Sequence, residues 1–219
     1  MATEHIQGIF FKDFNTSFIP NILHEIYYER VYDPHLKGKK DLIIVDFGAN
    51  IGLTSFFFKD YAKQVYAVEP SQRHIECINK LIEFNDIKNI KVCPYAISNE
   101  NGTAKFYHND NVTMYSLKDT VNKKDDFEEV KTITVDAFME LEGLDHIDFL
   151  KMDLEGAEDI VVASDGFKKV AHKVDRILGE YHDWNSVSQD MLKNMFTDLG
   201  FKFDWMKGTE AKLFVAKRV

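Results

Sequence analysis

From residue 41 onward, short apolar runs alternate with segments whose apolar residues recur at the helical period. This alternation is typical of an α/β domain wound around a mostly parallel sheet, with helices on both faces. The run at residues 42–45 is continuously apolar, as expected of a central strand that is buried on both faces. A helical face over residues 52–63 and a second apolar run at 65–68 complete one β-α-β unit. We therefore predict an α/β fold.

The middle of the chain extends this pattern and interrupts it once. The further predicted elements are a helix that Ser71 can cap, strands at 90–97, 130–135, 147–153 and 176–180, and helices at 137–141 and 157–170. Asn101-Gly102 is a hairpin signal, so residues 103–107 are predicted to return as a strand and not to enter a crossover helix. Residues 108–129 lack periodicity and are predicted to be a solvated loop within an insertion at about 98–135.

The C-terminal part predicts an antiparallel closing hairpin. Residues 186–189 fit a capping box for a helix that ends at Gly200. The strands expected at 201–205 and 212–216 are too close together for a parallel crossover, so they must pair antiparallel. A plain dinucleotide-binding fold does not end in this way.

Length and charge limit the class of protein. The 219 residues suit one domain at 41–219 with a helical N-terminal extension at 1–40, whose helix is expected at 21–31. Lys and Arg number 27 against 36 Asp and Glu, a net charge of −9, so the chain lacks the basic surface that nucleic acid requires.

The chain also shows no sign of a membrane or export. No run approaches the roughly 18 apolar residues of a spanning helix, and residues 1–14 do not resemble a signal peptide. Cys77 and Cys93 have no zinc spacing and are too few for a disulfide framework, which indicates reduced thiols. We therefore expect a soluble, cytoplasmic protein whose partner is a small molecule, with the oligomeric state left open.

Acidic residues end four predicted parallel strands. They are Asp46, Glu69, Asp153 and Glu180. Ligands of open parallel sheets bind beyond the carboxyl ends of the strands, near the point where the strand order reverses. The predicted ligand site is therefore rich in carboxylates.

The turn after the first strand favours a cofactor without a pyrophosphate. Gly48 and Gly52 are spaced G-x-x-x-G, and Asn50 occupies the place where a nicotinamide or flavin fingerprint has its second glycine. S-adenosylmethionine has adenine and ribose but no phosphate, and it carries a sulfonium cation. Glu69 could hold the ribose hydroxyls of either cofactor class, so it does not discriminate between them. Tight packing of strand against helix is an alternative reason for the two glycines.

Four sequence strings carry a resemblance to a known family. They are Val45-Asp46-Phe47-Gly48-Ala49-Asn50-Ile51-Gly52, Val68-Glu69-Pro70, Tyr95-Ala96-Ile97-Ser98, and Ile147-Asp148-Phe149-Leu150-Lys151-Met152-Asp153-Leu154-Glu155-Gly156-Ala157-Glu158. Over residues 42–184 the chain resembles the FkbM-type methyltransferases, a branch of the class I S-adenosylmethionine-dependent enzymes. The resemblance implies a Rossmann-like, seven-stranded sheet with an antiparallel last strand, adenine contacts near Tyr95 and Ala96, and methyl transfer mostly to hydroxyls of small molecules or sugars.

Methyl transfer to a hydroxyl requires positioning and removal of a proton. Asp153 is predicted to contact cofactor or substrate, although it could instead cap the helix near Gly156. His182 is a candidate base because of its ordinary pKa, and Glu180 leaves the same strand two residues earlier. Lys151 lies in a core strand and is expected to balance the carboxylates.

A metal is not predicted. The residues that offer oxygen ligands are Asp153, Glu155, Glu158 and Asp183. No fixed spacing among them requires a cation.

The sequence thus predicts an S-adenosylmethionine-dependent O-methyltransferase. The predicted cofactor-binding residues are Asp46, Gly48, Asn50, Gly52, Glu69, Tyr95, Ala96 and Asp153, and the predicted catalytic residues are Asp153, Glu180 and His182. Two alternatives stay open. One is a nicotinamide-dependent reductase, and the other is a methyltransferase-like domain that binds cofactor without turnover.

Overall fold

The strands of the protein form two sheets. In the computed structural model, residues 19–109, 115–118, 126–209 and 211–219 are described. The strands are β1 (Leu42–Phe47), β2 (Ala62–Val68), β3 (Ile90–Cys93), β4 (Ala96–Ile97), β5 (Gly102–Tyr107), β6 (Phe127–Ile133), β7 (Phe149–Met152), β8 (Arg176–Glu180), β9 (Phe201–Trp205) and β10 (Leu213–Arg218).

The larger sheet has seven strands in the order β3-β2-β1-β7-β8-β10-β9. The first five strands in this order, β3, β2, β1, β7 and β8, run parallel to one another. β10 lies between β8 and β9 and is antiparallel to both. The predicted mostly parallel sheet with an antiparallel last strand is therefore confirmed, and so is the closing hairpin. The chain leaves β1 toward β2 on one side and later returns to β7 on the other. The gap between the ends of β1 and β7 is thus the topological switch point.

Helices cover both faces of this sheet. They are α1 (Ile19–Leu23), which continues into a π-helical segment (His24–Glu29), α2 (Asp33–Leu36), α3 (Leu53–Phe58), α4 (Gln72–Phe84), α5 (Val135–Glu142), α6 (Glu158–Ala163), α7 (Asp165–Val170) with a 3-10 turn (Ala171–Lys173), and α8 (Gln189–Asp198). The helix predicted at 52–63 is α3, which extends only over Leu53–Phe58. The helix predicted at 157–170 is divided at Ser164, whose backbone is extended and whose hydroxyl accepts the Phe167 N–H to cap α7.

The smaller sheet has the order β4-β6-β5 and contains two corrections to the prediction. The strand predicted at 90–97 is two strands in different sheets, separated by Pro94, which has no N–H for a sheet ladder. The strand after Asn101 exists, but β5 pairs antiparallel with β6 and not with the strand before it. β6 begins inside the predicted loop at 108–129, and residues 110–114 and 119–125 of that loop lie outside the described residues.

The N-terminal segment shares the core of the larger sheet. Ile19, Ile26 and Leu36 are buried in the same apolar cluster as the sheet residue Phe149. The ring centroid of Tyr32 lies 5.0 Å from that of Phe58 in an edge-on contact. This packing brings the π-helical segment to the carboxyl end of the sheet.

The fold also bears on the expectations about membrane spans and cysteines. Within the described residues, no helix combines the length and the hydrophobicity needed to cross a bilayer. Cys77 and Cys93 are buried and unpaired, as expected of reduced thiols. Burial raises the pKa of Cys77 to about 11 and that of Cys93 to about 12, so both thiols stay protonated at neutral pH.

The cap of α8 differs from the predicted capping box. The N-cap is Ser188, whose hydroxyl accepts the Met191 N–H at 3.3 Å. The N–H of Ser186 instead donates to Asp159 Oδ2 at 2.8 Å, which holds residue 186 outside the helix. Gly200 follows the helix with φ +82°, as the sequence predicted for its end.

We predict that Ser188→Ala lowers the free energy of unfolding by about 1 kcal/mol, because one N–H at the start of α8 loses its acceptor. Ser186→Ala is the matched control and is expected to cost less than about 0.5 kcal/mol. Urea denaturation of both variants measures the difference. A larger loss for Ser186→Ala would restore the predicted capping box.

Candidate active site

A cavity of about 350 Å³ lies at the carboxyl ends of the parallel strands, around the switch point. Its volume is within the range of small-molecule sites. Eight of the predicted site residues line it, namely Gly48, Asn50, Glu69, Tyr95, Ala96, Asp153, Glu180 and His182. Asp46 and Gly52 do not, so the structure gives these two predicted cofactor-binding residues other roles.

We call residues 48–52, which follow β1, the glycine loop. A close contact with a neighbouring backbone requires glycine at its first position. Gly48 has φ +75°, and a Cβ atom there would lie 1.9 Å from the carbonyl oxygen of Asp153. Asn50 has φ +52°, which Asn tolerates, and its side-chain oxygen accepts the Ile51 N–H at 2.7 Å. A Cβ on Gly52 would lie 3.0 Å from the Ile78 side chain. Gly52 is the N-cap of α3 with φ +87°, so its left-handed backbone and the close packing of α3 on α4 explain the glycine.

Asp46 lies beneath the cavity and holds Lys151. Its side chain is fully buried, accepts the Ser55 hydroxyl at 2.6 Å and lies 3.2 Å from Lys151 Nζ. Lys151 Nζ is also 3.4 Å from Asp153 Oδ2 and donates to the Gly48 carbonyl at 3.0 Å. Burial opposes the charge of Lys151, but Asp46 and Asp153 outweigh it and raise the pKa of Lys151 well above its ordinary value. This is the charge balance expected of Lys151.

Glu69 organises the wall near Tyr95 and Ala96. Its carboxylate accepts the N–H groups of Asn50 at 2.9 Å and Ser71 at 3.0 Å, and lies 3.1 Å from His74 Nδ1. Ser71 stands at the N-cap of α4 as predicted, but its hydroxyl makes no cap hydrogen bond. Glu69 thus ties the glycine loop to the start of α4.

On the opposite wall, four carboxylates surround His182. Its side chain is only 7% exposed, and its Nδ1 lies 3.2 Å from Glu158 Oε1. Its Nε2 lies 3.4 Å from Glu155 Oε2 and 3.8 Å from both Asp153 Oδ1 and Glu180 Oε1. Burial alone would lower the pKa of His182, but the hydrogen bond to Glu158 and the surrounding charges raise it to about 10.

These charges bear on the predicted role of His182, which stays a prediction. An imidazolium at neutral pH has no free lone pair, so in this state His182 is not the base that its ordinary pKa suggested. Burial and the charge of Asp153 raise the pKa of Glu180 to about 8, and the same two causes raise that of Glu155 well above its ordinary value. The cluster therefore retains protons that isolated carboxylates would lose.

Asp153 does not cap the following helix. The N–H groups of Leu154 and Gly156 are accepted by Glu158 Oε1, at 2.8 and 3.3 Å. One Asp153 oxygen faces Lys151, and the carboxylate lines the cavity. The structure thus supports contact with a ligand, not helix capping.

Ser116 and Trp184 hold the backbone of Glu155 on the wall that contains His182. Ser116 Oγ donates to the Glu155 carbonyl at 2.8 Å, and Trp184 Nε1 donates to the same oxygen at 3.0 Å. Glu155 has φ +50°, and a Cβ on Gly156 would lie 2.3 Å from the Trp184 ring. Tyr115 and Trp184 also line the cavity, although neither belongs to a sequence string that predicts a site residue.

Glu25 was also missed. It reaches the cavity from the π-helical segment, which the sequence presented only as an amphipathic helix. Burial and the charge of Asp153 raise the pKa of Glu25 to about 7. No pattern around Glu25 distinguishes it from a surface residue; only the packing of Ile26 and Tyr32 reveals its position.

The sequence matches a known protein family over most of its length. The family model described as the methyltransferase FkbM domain matches residues 46–203. No curated protein matches the sequence significantly.

Three solved structures share the fold. The methyltransferase FkbM from Methylobacillus flagellatus is 14% identical with a TM-score of 0.56, and the match covers 99% of this chain but only 58% of that one. Magnesium protoporphyrin IX methyltransferase from Synechocystis, with bound S-adenosylmethionine, is 12% identical with a TM-score of 0.53, covering 91% and 79%. An S-adenosylmethionine-dependent methyltransferase from Aquifex aeolicus is 12% identical with a TM-score of 0.51, covering 97% and 95%. At these identities the likeness concerns the fold alone.

We predict that Gly48→Ala destabilises the protein by several kcal/mol, because the new methyl group overlaps the Asp153 backbone. Gly38→Ala is the matched control, since Gly38 has φ +78° and no atom within 4 Å of an added Cβ. Its cost should be only the roughly 1 kcal/mol of a left-handed alanine. Thermal unfolding compares the two, and equal losses would show that the close approach is unimportant.

We predict that Glu25→Gln stabilises the protein more at pH 8 than at pH 5. The folded-state pKa of about 7 exceeds the ordinary 4.5, so Glu25 loses its stabilising proton as the pH rises through this window. The gain at pH 8 should exceed that at pH 5 by about 2 kcal/mol. Denaturant unfolding at both values tests this, with exposed Glu100→Gln as the control; a pH-independent gain would contradict it.

Proposed function

We propose that this chain, which belongs to the FkbM family of methyltransferases, transfers the methyl group of S-adenosylmethionine to a hydroxyl of a small metabolite or carbohydrate. The observation that carries the proposal is one cavity that joins the glycine loop and Glu69 to the carboxylates after β7 and β8. The chain spans 58% of the FkbM relative of known structure, so the acceptor is part of the proposal.

The charges of the cavity fit a cofactor without phosphate. In the part of the chain that the structure describes, three basic side chains line the cavity, namely His74, Lys151 and His182. Each already faces a carboxylate, whereas a pyrophosphate needs cations or N–H groups directed at it. These pairings and the family match argue against the nicotinamide-dependent reductase.

S-adenosylmethionine supplies an electrophilic methyl group on a positively charged sulfur. We assign the adenosine end to the wall of Asn50, Glu69, Tyr95 and Ala96, and the charged end to the side of Asp153. Acidic side chains around a cation are favourable in a partly dehydrated cavity.

The chain's own residues then have distinct tasks. Glu180, a carboxylate on the cavity wall, is our candidate for removing the acceptor proton, and Asp153 orients the acceptor or the cofactor. His182 keeps these carboxylates together, since it lies 3.8 Å from each of them. Positioning of acceptor and methyl group in line is expected to supply much of the acceleration.

The cellular setting is also proposed. The acidic composition and the paired basic side chains support a small-molecule acceptor and not a nucleic acid. The two unpaired cysteines support a reducing compartment, and hence the cytoplasm.

We predict that calorimetry detects saturable binding of S-adenosylhomocysteine, and that Glu69→Gln weakens it at least tenfold, about 1.4 kcal/mol. Glu83→Gln, an exposed change on the adjacent helix α4, should leave affinity unchanged. Thermal melts confirm that each variant is folded. An absence of binding by the unmodified chain would sink the proposal.

A second measurement separates the enzyme from a silent binding domain. Methyl transfer is followed with labelled S-adenosylmethionine and a panel of hydroxyl and amine acceptors. Transfer to hydroxyl compounds supports the proposal, whereas transfer to amines alone would move the reaction to nitrogen. Cofactor binding without any transfer would favour a domain that has lost turnover.

A further inference from the structure

We propose that Asp153, Glu155 and His182 form a binding site for a divalent metal ion on the cavity wall. The sequence predicted no metal, because these residues come from two separate segments with no recognised ligand spacing. The fold brings them together where the chain leaves β7 and β8. Their ligand atoms all lie within 4.8 Å of one another.

Of the two separations from His182 Nε2, one matches coordination of a common ion and the other is slightly longer. His182 Nε2 lies 3.4 Å from Glu155 Oε2 and 3.8 Å from Asp153 Oδ1. Metal-ligand bonds of about 2.0–2.2 Å place neighbouring ligand atoms roughly 3 to 3.6 Å apart. Two carboxylates and one neutral imidazole are a donor set that suits Mn²⁺ or Zn²⁺, so the ion takes the place of the proton on His182 Nε2, which passes to solvent.

A buried second layer aims the imidazole at this point. Glu158 is completely buried and lies 3.2 Å from His182 Nδ1. Its two oxygens also accept the Leu154 N–H at 2.8 Å and an Asn185 side-chain N–H at 2.9 Å, so the carboxylate cannot turn away. Metal-bound histidines commonly give their second nitrogen to such a carboxylate. The arrangement directs Nε2 into the cluster.

The atoms directed at the proposed site lack ordinary hydrogen bonds. The nearest carboxylate oxygen to His182 Nε2 is 3.4 Å away, whereas a closed imidazolium-carboxylate pair has a separation of about 2.7–2.9 Å. Asp153 Oδ1 is buried and has no hydrogen-bond partner among the described residues. These two atoms face each other across 3.8 Å. Direct pairing does not satisfy them, and an ion between them does.

Other acidic groups differ from this set. Asp183 is 73% exposed and pairs with Lys212, so it does not take part. His146, Asp148 and Asp175 form a second cluster of potential ligands, but His146 is 46% exposed and Asp175 is 58% exposed. The Ile43 N–H holds Asp148 at 2.7 Å, but among the described residues no buried carboxylate is paired with His146, which makes this surface cluster a suitable internal control.

The role of the ion rests on the proposed function. A divalent ion held by these residues would make a hydroxyl bound to it lose its proton more easily. Glu180 Oε1 lies 3.8 Å from His182 Nε2 and, when ionised, could receive that proton. Binding of the ion itself does not depend on this role.

The test is titration of the full chain with MnCl₂, followed by calorimetry and by electron paramagnetic resonance. We expect one saturable Mn²⁺ site per chain, with electron spin-echo modulation from one imidazole nitrogen. Glu155→Gln should raise the Mn²⁺ dissociation constant at least tenfold. His146→Gln should change it less than twofold.

Three results would overturn the site: no saturable binding by the unmodified chain, weakening by His146→Gln equal to that by Glu155→Gln, or no nitrogen modulation. If Glu155→Gln fails to fold in a thermal melt, the nitrogen signal of the unmodified chain and the His146→Gln control decide. S-adenosylhomocysteine binding is measured separately, without metal. Its persistence alongside a failed Mn²⁺ titration would reject the metal site and leave the proposed function standing.

Discussion

The buried ammonium group of Lys151 is the contact on which both the sheet and the cavity depend. It lies between Asp46 of β1 and Asp153 after β7, and donates to the carbonyl of Gly48. A buried charge is costly unless partners surround it, so the three groups must stay together. They are also the groups that flank the switch point. The same interaction therefore joins the two central strands and fixes the glycine loop against the acidic wall.

Part of this arrangement could be read from the sequence because it follows from strand order alone. Once β1, β2, β7 and β8 were recognised, the acidic residues at their ends had to meet at one edge. The role of each individual residue could not be predicted from the sequence, because it depends on interatomic distances shorter than one side chain. Asp46 is buried in the core and does not line the cavity. Gly52 packs closely against the Ile78 side chain. Helix breaks such as that at Ser164 likewise depend on tertiary packing that propensities do not record.

Residues outside any string were harder still. Glu25 reaches the cavity only because α1 and the π-helical segment pack their apolar side on the sheet. Trp184 reaches it because Gly156 leaves room for the indole ring. In both cases the position of the side chain in the cavity is determined by a small or apolar neighbour and not by the side chain itself. Such pairs become visible in a sequence only after the fold is known.

The acidic wall can be understood as a site for positive charge that is shared among several occupants. Lys151 supplies a permanent positive partner and protonated His182 supplies one that a metal ion would replace, yet burial still raises the pKa values of Glu155 and Glu180. Their carboxylates therefore gain from any further cation that enters, and a proton is only the simplest one. A sulfonium on the cofactor side and a divalent ion beside His182 would satisfy the same charges without expelling Lys151. The net charge of −9, which at first only disfavoured nucleic acid, thus has a local counterpart in the acidic wall of the cavity.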